Sequence, residues 1–401
     1  MVDVSHVIYV DSPAVLAQAV ELIAPFDQVG LDTEADSLHH FREKICLIQL
    51  SVPGSDIIVD PLVELDISTL LECLVDKELL IHGADYDLRM MKRAYQFAPK
   101  RIFDTMLAAQ LLGYERFSYA ALVEQFHEVV LSKQAQKADW SVRPLTEKML
   151  HYAACDTHYV LSIAESLRGQ LAEKGRLVWH KEICEKLLDT VSDAVKVVDP
   201  ERQWRIKGWH KLRPGRGWAA LRELWHWRNN EAERTDLPPF KLFRNELLIE
   251  YATWVQDGAV PDAMPLLPRN IQGRRRREFE QALSTAQALP PSQFPKALKG
   301  ERKEFLKLDD RYSVELKLMR DEHAKFLQLD PGVLFPSSLI AATAGVIPQT
   351  PEQLDKIEGM YRWQIAELGD KILAAIEKAK SAPHKPIPVS KDSDTPPAPA
   401  E

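Results

Sequence analysis

With 401 residues and roughly 150 residues per domain as a guide, the chain has room for two or three globular units. Hydrophobic residues at 45% and charged residues at 27% exclude a fibrous or wholly disordered protein, and no run reaches the roughly 18 apolar residues that cross a bilayer. The net charge of −8 speaks against a uniformly basic nucleic-acid binder, yet Pro200 to Glu280 holds 16 Lys and Arg against 11 Asp and Glu, leaving 35 against 48 elsewhere; one basic segment rides on an acidic chain.

The N-terminus, MVDVSHVIYV, has no basic stretch followed by a long apolar run, so a cytoplasmic protein without membrane association is expected. Cys46, Cys73, Cys155 and Cys184 are widely spaced, which suggests reduced thiols and not a zinc knuckle or a disulfide framework. Short apolar runs alternating with amphipathic ones over residues 1 to about 190 indicate α/β architecture. Strands are expected at Val7 to Val10, Val29 to Thr33, Ile45 to Val52, Ile57 to Asp60 and Leu79 to His82, each bounded by Gly, Pro, Asp or Ser. Pro53-Gly54 is expected to turn the third strand into the fourth. Ser12-Pro13 reads as a helix start, and helical spacing covers Tyr86 to Tyr95, Thr105 to Leu112 and Pro144 to Lys174.

From Trp204 the strand signal stops, and helical segments are separated by LRPGRG, DLPPF, AVPDAMPLLP and ALPPSQFP. Six of the nine tryptophans fall between Trp204 and Trp254, as in a small helical domain that fills its core with large side chains. A second helical unit, Arg311 to Ala379, repeats the order of the first: a long helix, an Asp-containing proline turn (DLPPFKLF, then LDPGVLFP) and further apolar helices. APHKPIPVSKDSDTPPAPAE has almost nothing to bury and is expected to be a disordered tail.

Three segments carry candidate chemistry. In VGLDTE, Asp32 and Glu34 are two apart on a strand and so share a face, though solvated strand-end acids would look the same. In HGADYDL, Asp87 stands near a helix start, where an acid also suits the dipole, and Asp85 competes with it. In YAACD, Tyr152 and Asp156 are four apart on one helix face, a spacing equally compatible with simple packing.

Taken in order, DTE, HGADYD and YAACD resemble the DEDD exonucleases, in the subgroup with a tyrosine four residues before the last aspartate. ICLIQLS and IFDTMLAAQLLGY resemble ribonuclease D in particular, over most of residues 5 to 175. The resemblance implies a ribonuclease H-like α/β domain with a mixed central sheet flanked by helices. It also implies two divalent metal ions, Mg²⁺ or Mn²⁺, held by Asp32, Glu34, Asp87 and Asp156: Asp32, Glu34 and Asp156 on one ion, with Asp32 bridging to a second that Asp87 reaches. Tyr152 is the fifth catalytic residue and orients the attacking water. Thr33 and His82 are expected beside the terminal nucleotide, and Asp104 is read as structural.

Leu212 to Leu283, most clearly LRELWHWRNNEAERTDLPPFKLFRNELLIEYA, resembles the helicase-and-RNase-D C-terminal (HRDC) domain, and the second unit resembles a divergent copy. The expected domains are thus an exonuclease over 1–190, all-α HRDC units over 204–288 and 305–380, and a tail over 381–401. Arg274, Arg275, Arg276 and Arg277 are candidates for phosphate contact, against the alternative of a solvated helix face. The implied partner is RNA with a single-stranded 3′ end, tRNA precursors among them, with no obligate protein partner. The implied function is a 3′→5′ exoribonuclease releasing 5′-mononucleotides; a DNA exonuclease and a non-catalytic RNA-binding scaffold are the alternatives.

Overall fold

The computed structural model describes residues 7–193, 199–298 and 310–381. The chain divides into two units, Met1–Lys303 and Glu304–Glu401. The expected tail, and the first residues of the expected third domain, lie outside the described residues. No helix among the described residues is long and apolar enough to cross a membrane.

The first unit begins with a six-stranded sheet: β1 (Val7–Val10), β2 (Gln28–Ala35), β3 (Ile45–Val52), β4 (Ser55–Val59), β5 (Glu78–Ile81) and β6 (Arg101–Asp104). Their order is β1-β4-β3-β2-β5-β6. β3 runs antiparallel to both neighbours and the remaining pairs are parallel, so the sheet is mixed, as expected. The hairpin turns at Gly54 (φ 83°), a conformation that favours glycine. β6 is not among the expected strands because two of the four residues of RIFD, Arg101 and Asp104, are charged, which leaves no apolar run.

Eight helices accompany the sheet: α1 (Pro13–Ile23), α2 (Ser68–Leu74), α3 (Asp85–Tyr95), α4 (Thr105–Leu112), α5 (Tyr119–His127), α6 (Glu147–His158), α7 (Val160–Glu173) and α8 (Leu177–Asp193). The helix expected over Pro144 to Lys174 is two. Thr146 caps the first by accepting from the Met149 N–H, and at Tyr159 (φ −94°, ψ −6°) the chain leaves α6 and enters α7. Continuous apolar spacing across the break hides it from pattern reading. One sheet face buries Val29, Leu31, Ile48, Leu50, Ile57 and Val59 with residues of α1, α2, α3 and α8. On the other, Leu47 and Ile58 pack with Ala153, Ala154 and Cys155 of α6.

The same unit continues through α9 (Pro200–Gln203), α10 (Arg216–Thr235), α11 (Pro239–Leu242), α12 (Asn245–Gln256) and α13 (Gly273–Ala288). Trp204, Trp218, Trp225 and Trp227 are buried in their core, and Trp209 and Trp254 are partly buried against it. The tryptophans are thus packing residues. The loop after β2 holds this bundle: Phe41 packs on its core, the Phe41 N–H donates to Asp236 Oδ1 at 3.1 Å, His40 Nδ1 lies 2.7 Å from Asp236 Oδ2 and Arg42 pairs with Glu233.

The second unit contains α14 (Asp310–Leu327), α15 (Pro331–Leu334), α16 (Ser337–Val346), α17 (Pro351–Leu354) and α18 (Arg362–Ser381). It repeats the first bundle residue for residue at its turn. Arg228 donates to the Phe243 carbonyl and Arg320 to the Phe335 carbonyl, both across 15 residues, and Asp236 and Gln328 both have positive φ. This register sets Asp236 against Gln328 and Phe243 against Phe335. Asp236 ends α10 in the left-handed region, whereas Asp330 begins α15 by accepting from the Gly332 and Val333 N–H groups. The two aspartates are not equivalent.

Gly30 sets how closely α7 approaches β2, since a Cβ there would stand 2.5 Å from Val160 Cγ1. Gly30→Ala is expected to cost about 1–3 kcal/mol by overpacking, read as a lower urea midpoint. The double variant Gly30→Ala/Val160→Ala is expected to recover part of it; a Gly30→Ala protein as stable as the parent would refute this account of the contact.

Candidate active site

Alternation along β2 decides which side chains share a cleft. Val29 and Leu31 enter the core under α3 and α8, so Gly30, Asp32 and Glu34 turn to the face covered by α6 and α7. There α6 presents Asp156, and one carboxylate oxygen from each of Asp32, Glu34 and Asp156 lies within 4.8 Å of the others.

Asp87 reaches the group from the side of β5. The β2–β5 ladder ends at Gly30↔Leu80, which leaves the flank of β2 beyond it to the first turn of α3. Asp87 Oδ1 accepts from Thr33 Oγ1 at 2.6 Å. Asp87 is not part of the three-carboxylate group, but it is the largest charge acting on both Asp32 and Asp156. Asp85 is exposed and paired with Arg89 at 2.8 Å, so of the two competing acids Asp87 is the one turned inward.

Burial and mutual repulsion disfavour ionising these acids. Burial pushes Asp32 well above the usual carboxylate range, with Asp87, Asp156 and Glu34 adding to it. Asp156 is raised by burial and then by Asp87. Glu34 is pushed up to about 9 by burial, then by Asp156 and Asp87, and Asp87 to about 6 by burial, opposed by its bond from Thr33. Tyr152 is raised by burial and then by Asp156, Glu34 and Asp32, so its phenol keeps its proton at neutral pH. Clustered hard oxygen donors that repel one another fit a divalent cation of the Mg²⁺ or Mn²⁺ type.

The remaining expected residues divide. Thr33 is buried and spends its hydroxyl on Asp87. His82 Nδ1 lies 3.0 Å from Thr105 Oγ1, and burial lowers its pKa to about 4, so the ring is neutral. Asp104 accepts from the N–H groups of Gly83, Ala84, Met106 and Leu107, a cap that fixes the turn leading to Asp87. Arg274 and Arg275 both pair with Glu231, and Arg276 pairs with Glu280 at 2.8 Å. Glu231, which also binds Arg234, is held down at about 2, chiefly by that arginine. Arg234 and Arg274 to Arg277 together outnumber Glu231, Glu278 and Glu280 by five to three, so the patch keeps a net positive charge.

Tyr119 escaped the sequence reading. Its hydroxyl donates to the Cys155 carbonyl at 3.1 Å and accepts the Tyr159 N–H at 3.2 Å, and its ring centroid lies 5.5 Å from that of His82. Burial, then the charge of Asp156, raises its pKa. It braces the end of α6 that carries Asp156; nothing in FSYAAL distinguishes it from an ordinary helix-start aromatic.

Known proteins resemble this chain in sequence and in fold. The 3′-5′ exonuclease family model matches residues 7–172, and the HRDC domain model matches 219–253 and 313–376. Ribonuclease D of Xanthomonas oryzae pv. oryzae is 30% identical over 250 residues, covering 61% of this chain and 67% of that one. Ribonuclease D of Zymomonas mobilis is 31% identical over 253 residues, 62% of this chain; the match spans 63% of the relative's length, just under two thirds. The crystal structure of Escherichia coli RNase D, an exoribonuclease involved in structured RNA processing, matches with a TM-score of 0.68 at 24% identity, covering 92% of this chain and 98% of that one; at that identity the likeness concerns the fold.

The raised carboxyls have a consequence for stability. Where the folded pKa lies above the unfolded one, the folded state keeps a proton that the unfolded state releases, so stability is greatest below the unfolded value and falls as pH rises toward the folded one. For Glu34 that window runs from roughly 4.3 to about 9. In chelator, the melting temperature is expected to fall between about pH 5 and pH 8, less steeply in Glu34→Gln, and to recover at the higher pH on adding Mn²⁺. Identical pH dependence in parent and Glu34→Gln would contradict the assignment.

Proposed function

Because the chain belongs to the ribonuclease D family of 3′→5′ exoribonucleases, we propose that its carboxylate cleft removes 5′-mononucleotides from the 3′ ends of RNA, tRNA precursors and other structured RNAs among them. The observation that carries this reading is the meeting of Asp32, Glu34 and Asp156 within 4.8 Å, with Asp87 the largest further charge acting on Asp32 and Asp156.

In this reading Asp32, Glu34 and Asp156 hold one divalent cation, and Asp87 with Asp32 holds a second. A bound pair of such ions supplies a more acidic water and neutralises charge developing at the phosphate. Tyr152, kept protonated by its acidic neighbours, positions the nucleophile by hydrogen bonding and does not abstract its proton. Thr33 holds Asp87 in place through its hydroxyl, and Asp104 holds the turn before it. Neutral His82, partly open beside Tyr119, offers a flat face to a terminal base.

The test is digestion of 5′-labelled RNA with a 3′ overhang, beside the matching DNA, in Mg²⁺ or Mn²⁺ and in chelator. A ladder shortening from the 3′ end of RNA and abolished by chelation is expected. Asp32→Asn and Asp156→Asn are expected to lower kcat by at least about a thousandfold and Tyr152→Phe by roughly ten- to a hundredfold, the range of a lost positioning group. Near-normal turnover by Asp32→Asn would reject the mechanism; a DNA preference would reject the substrate.

The arginine patch of the first helical bundle extends the reading to RNA capture. Arg276 and Arg277 are exposed, and Arg276→Glu/Arg277→Glu is expected to weaken binding of a tRNA-like RNA by about tenfold or more at low salt and to flatten the salt dependence, with turnover of a short oligonucleotide unchanged. Equal affinity and equal salt slope would remove this patch from the binding surface.

A further inference from the structure

Gln49 lies in the middle of β3 with no solvent exposure, and neither its Nε2 nor its Oε1 has a hydrogen-bond partner among the described residues. Other orphaned polar groups there, such as the Trp140 and Trp227 indoles and the Thr343 hydroxyl, each leave a single atom unpaired; Gln49 leaves both ends of a carboxamide. Its neighbours on the same strand face are satisfied. Leu47 is apolar and fully buried, and Ser51 Oγ bonds Asp56 and Thr157, each at 2.6 Å. A leucine or methionine would fill the same volume without the penalty of an unmade hydrogen bond.

The register shows what this amide is beside. Gln49 stands directly opposite Asp32 in the antiparallel β2–β3 ladder, so their side chains share a face and their Cβ atoms are about 4.5–5.5 Å apart. On its other side Gln49 pairs with Ile58, a fully buried residue in the cluster under α6, which offers the amide nothing. Asp32 is the polar group that the fold sets against it.

We propose that Gln49 is a positioning residue of the cation site: unpaired here, its Nε2–H turns to donate to the Asp32 carboxylate when a cation occupies the site, and so fixes the direction in which Asp32 presents its other oxygen to the cation. This rests on the reading of Asp32 as a cation ligand. A hydrogen bond to the ionised carboxylate holds one rotamer of a side chain that three other acids repel. Glu34 has Leu47 opposite it and receives no such support, so the strand-borne acid at the centre of the cluster is the one held in place.

The experiment measures Mn²⁺ binding by calorimetry on the full chain, with thermal unfolding in EDTA, for the parent, Gln49→Met, Gln49→Leu and Asp32→Asn. Gln49→Met is expected to melt in EDTA at or above the parent temperature yet to bind Mn²⁺ about 10–100-fold more weakly, with most of the activity lost at limiting Mn²⁺ returning at saturation. Gln49→Leu gives the same reading if the methionine variant does not fold. Mn²⁺ affinity within about twofold of the parent would overturn the proposal, and a lower melting temperature with unchanged affinity would reduce Gln49 to a packing residue. If the parent binds Mn²⁺ no better than Asp32→Asn does, the cation reading itself falls and the proposal with it.

Discussion

Four carboxylates held in one half-buried cleft repel one another, and much of the first unit can be understood as the means of holding them there. None of Asp32, Glu34 and Asp156 would choose the others as neighbours, since burial and like charge push all three toward their protonated forms. They stay together because their backbones are fixed by unrelated forces. β2 is locked between β3 and β5, and α6 is set down on β2, β3 and β4 over a small-residue surface, Ala153, Ala154 and Cys155, that packs on Leu47 and Ile58. Hydrophobic burial thus bears the electrostatic cost, and a cation is what relieves it.

Asp87 is held by a different device. Its carboxylate is fixed locally by Thr33, on the strand that carries two of the other acids, and its helix begins where Asp104 gathers four backbone N–H groups. The sheet face that buries Val29 and Leu31 and the face that presents Asp32 and Glu34 are read off the same six residues, Val29 to Glu34. A one-residue slip of β2 would exchange them, which makes the β2–β3 register the most consequential pairing in the sheet.

The alternation of Asp32 and Glu34, the placement of Asp87 near a helix start and the Tyr152–Asp156 spacing were all legible in the sequence, because each depends only on period. The strands were legible where they were long or strongly apolar, and β6 was not, because Arg101 and Asp104 leave RIFD only two apolar residues. The break at Tyr159 was invisible because apolar spacing runs through it. Local rules alone left Asp87 and Asp85 open, since both lie in the first helical turn; the resemblance pointed to Asp87, and in the fold Asp87 is the buried acid bonded to Thr33 on β2. Tyr119 and Gln49 carry no local signal at all, since their significance comes from what a distant segment places beside them. The arginine run was visible as charge, but its pairing with Glu231 was not, because that glutamate is more than forty residues away.

β2 also joins the chemistry to the helical bundle. One residue past the bulge between Glu34 and Ala35, Asp36 is fully buried and bound to the Lys44 N–H at 2.9 Å, closing the loop whose tip carries His40, Phe41 and Arg42 into contact with Asp236 and Glu233. Asp236 sits at the end of α10 in the left-handed conformation, and Glu233 lies in the last turn of that helix. The same helix carries Glu231, on which Arg234, Arg274 and Arg275 converge. A continuous covalent and hydrogen-bonded route therefore runs from the basic patch, along one helix end, through one closed loop, to the strand that presents Asp32 and Glu34. Gln328, the counterpart of Asp236 in the second bundle, carries no charge at this turn, so the two HRDC copies share a fold but differ in the chemistry of the residue that in the first bundle receives His40 and the Phe41 N–H.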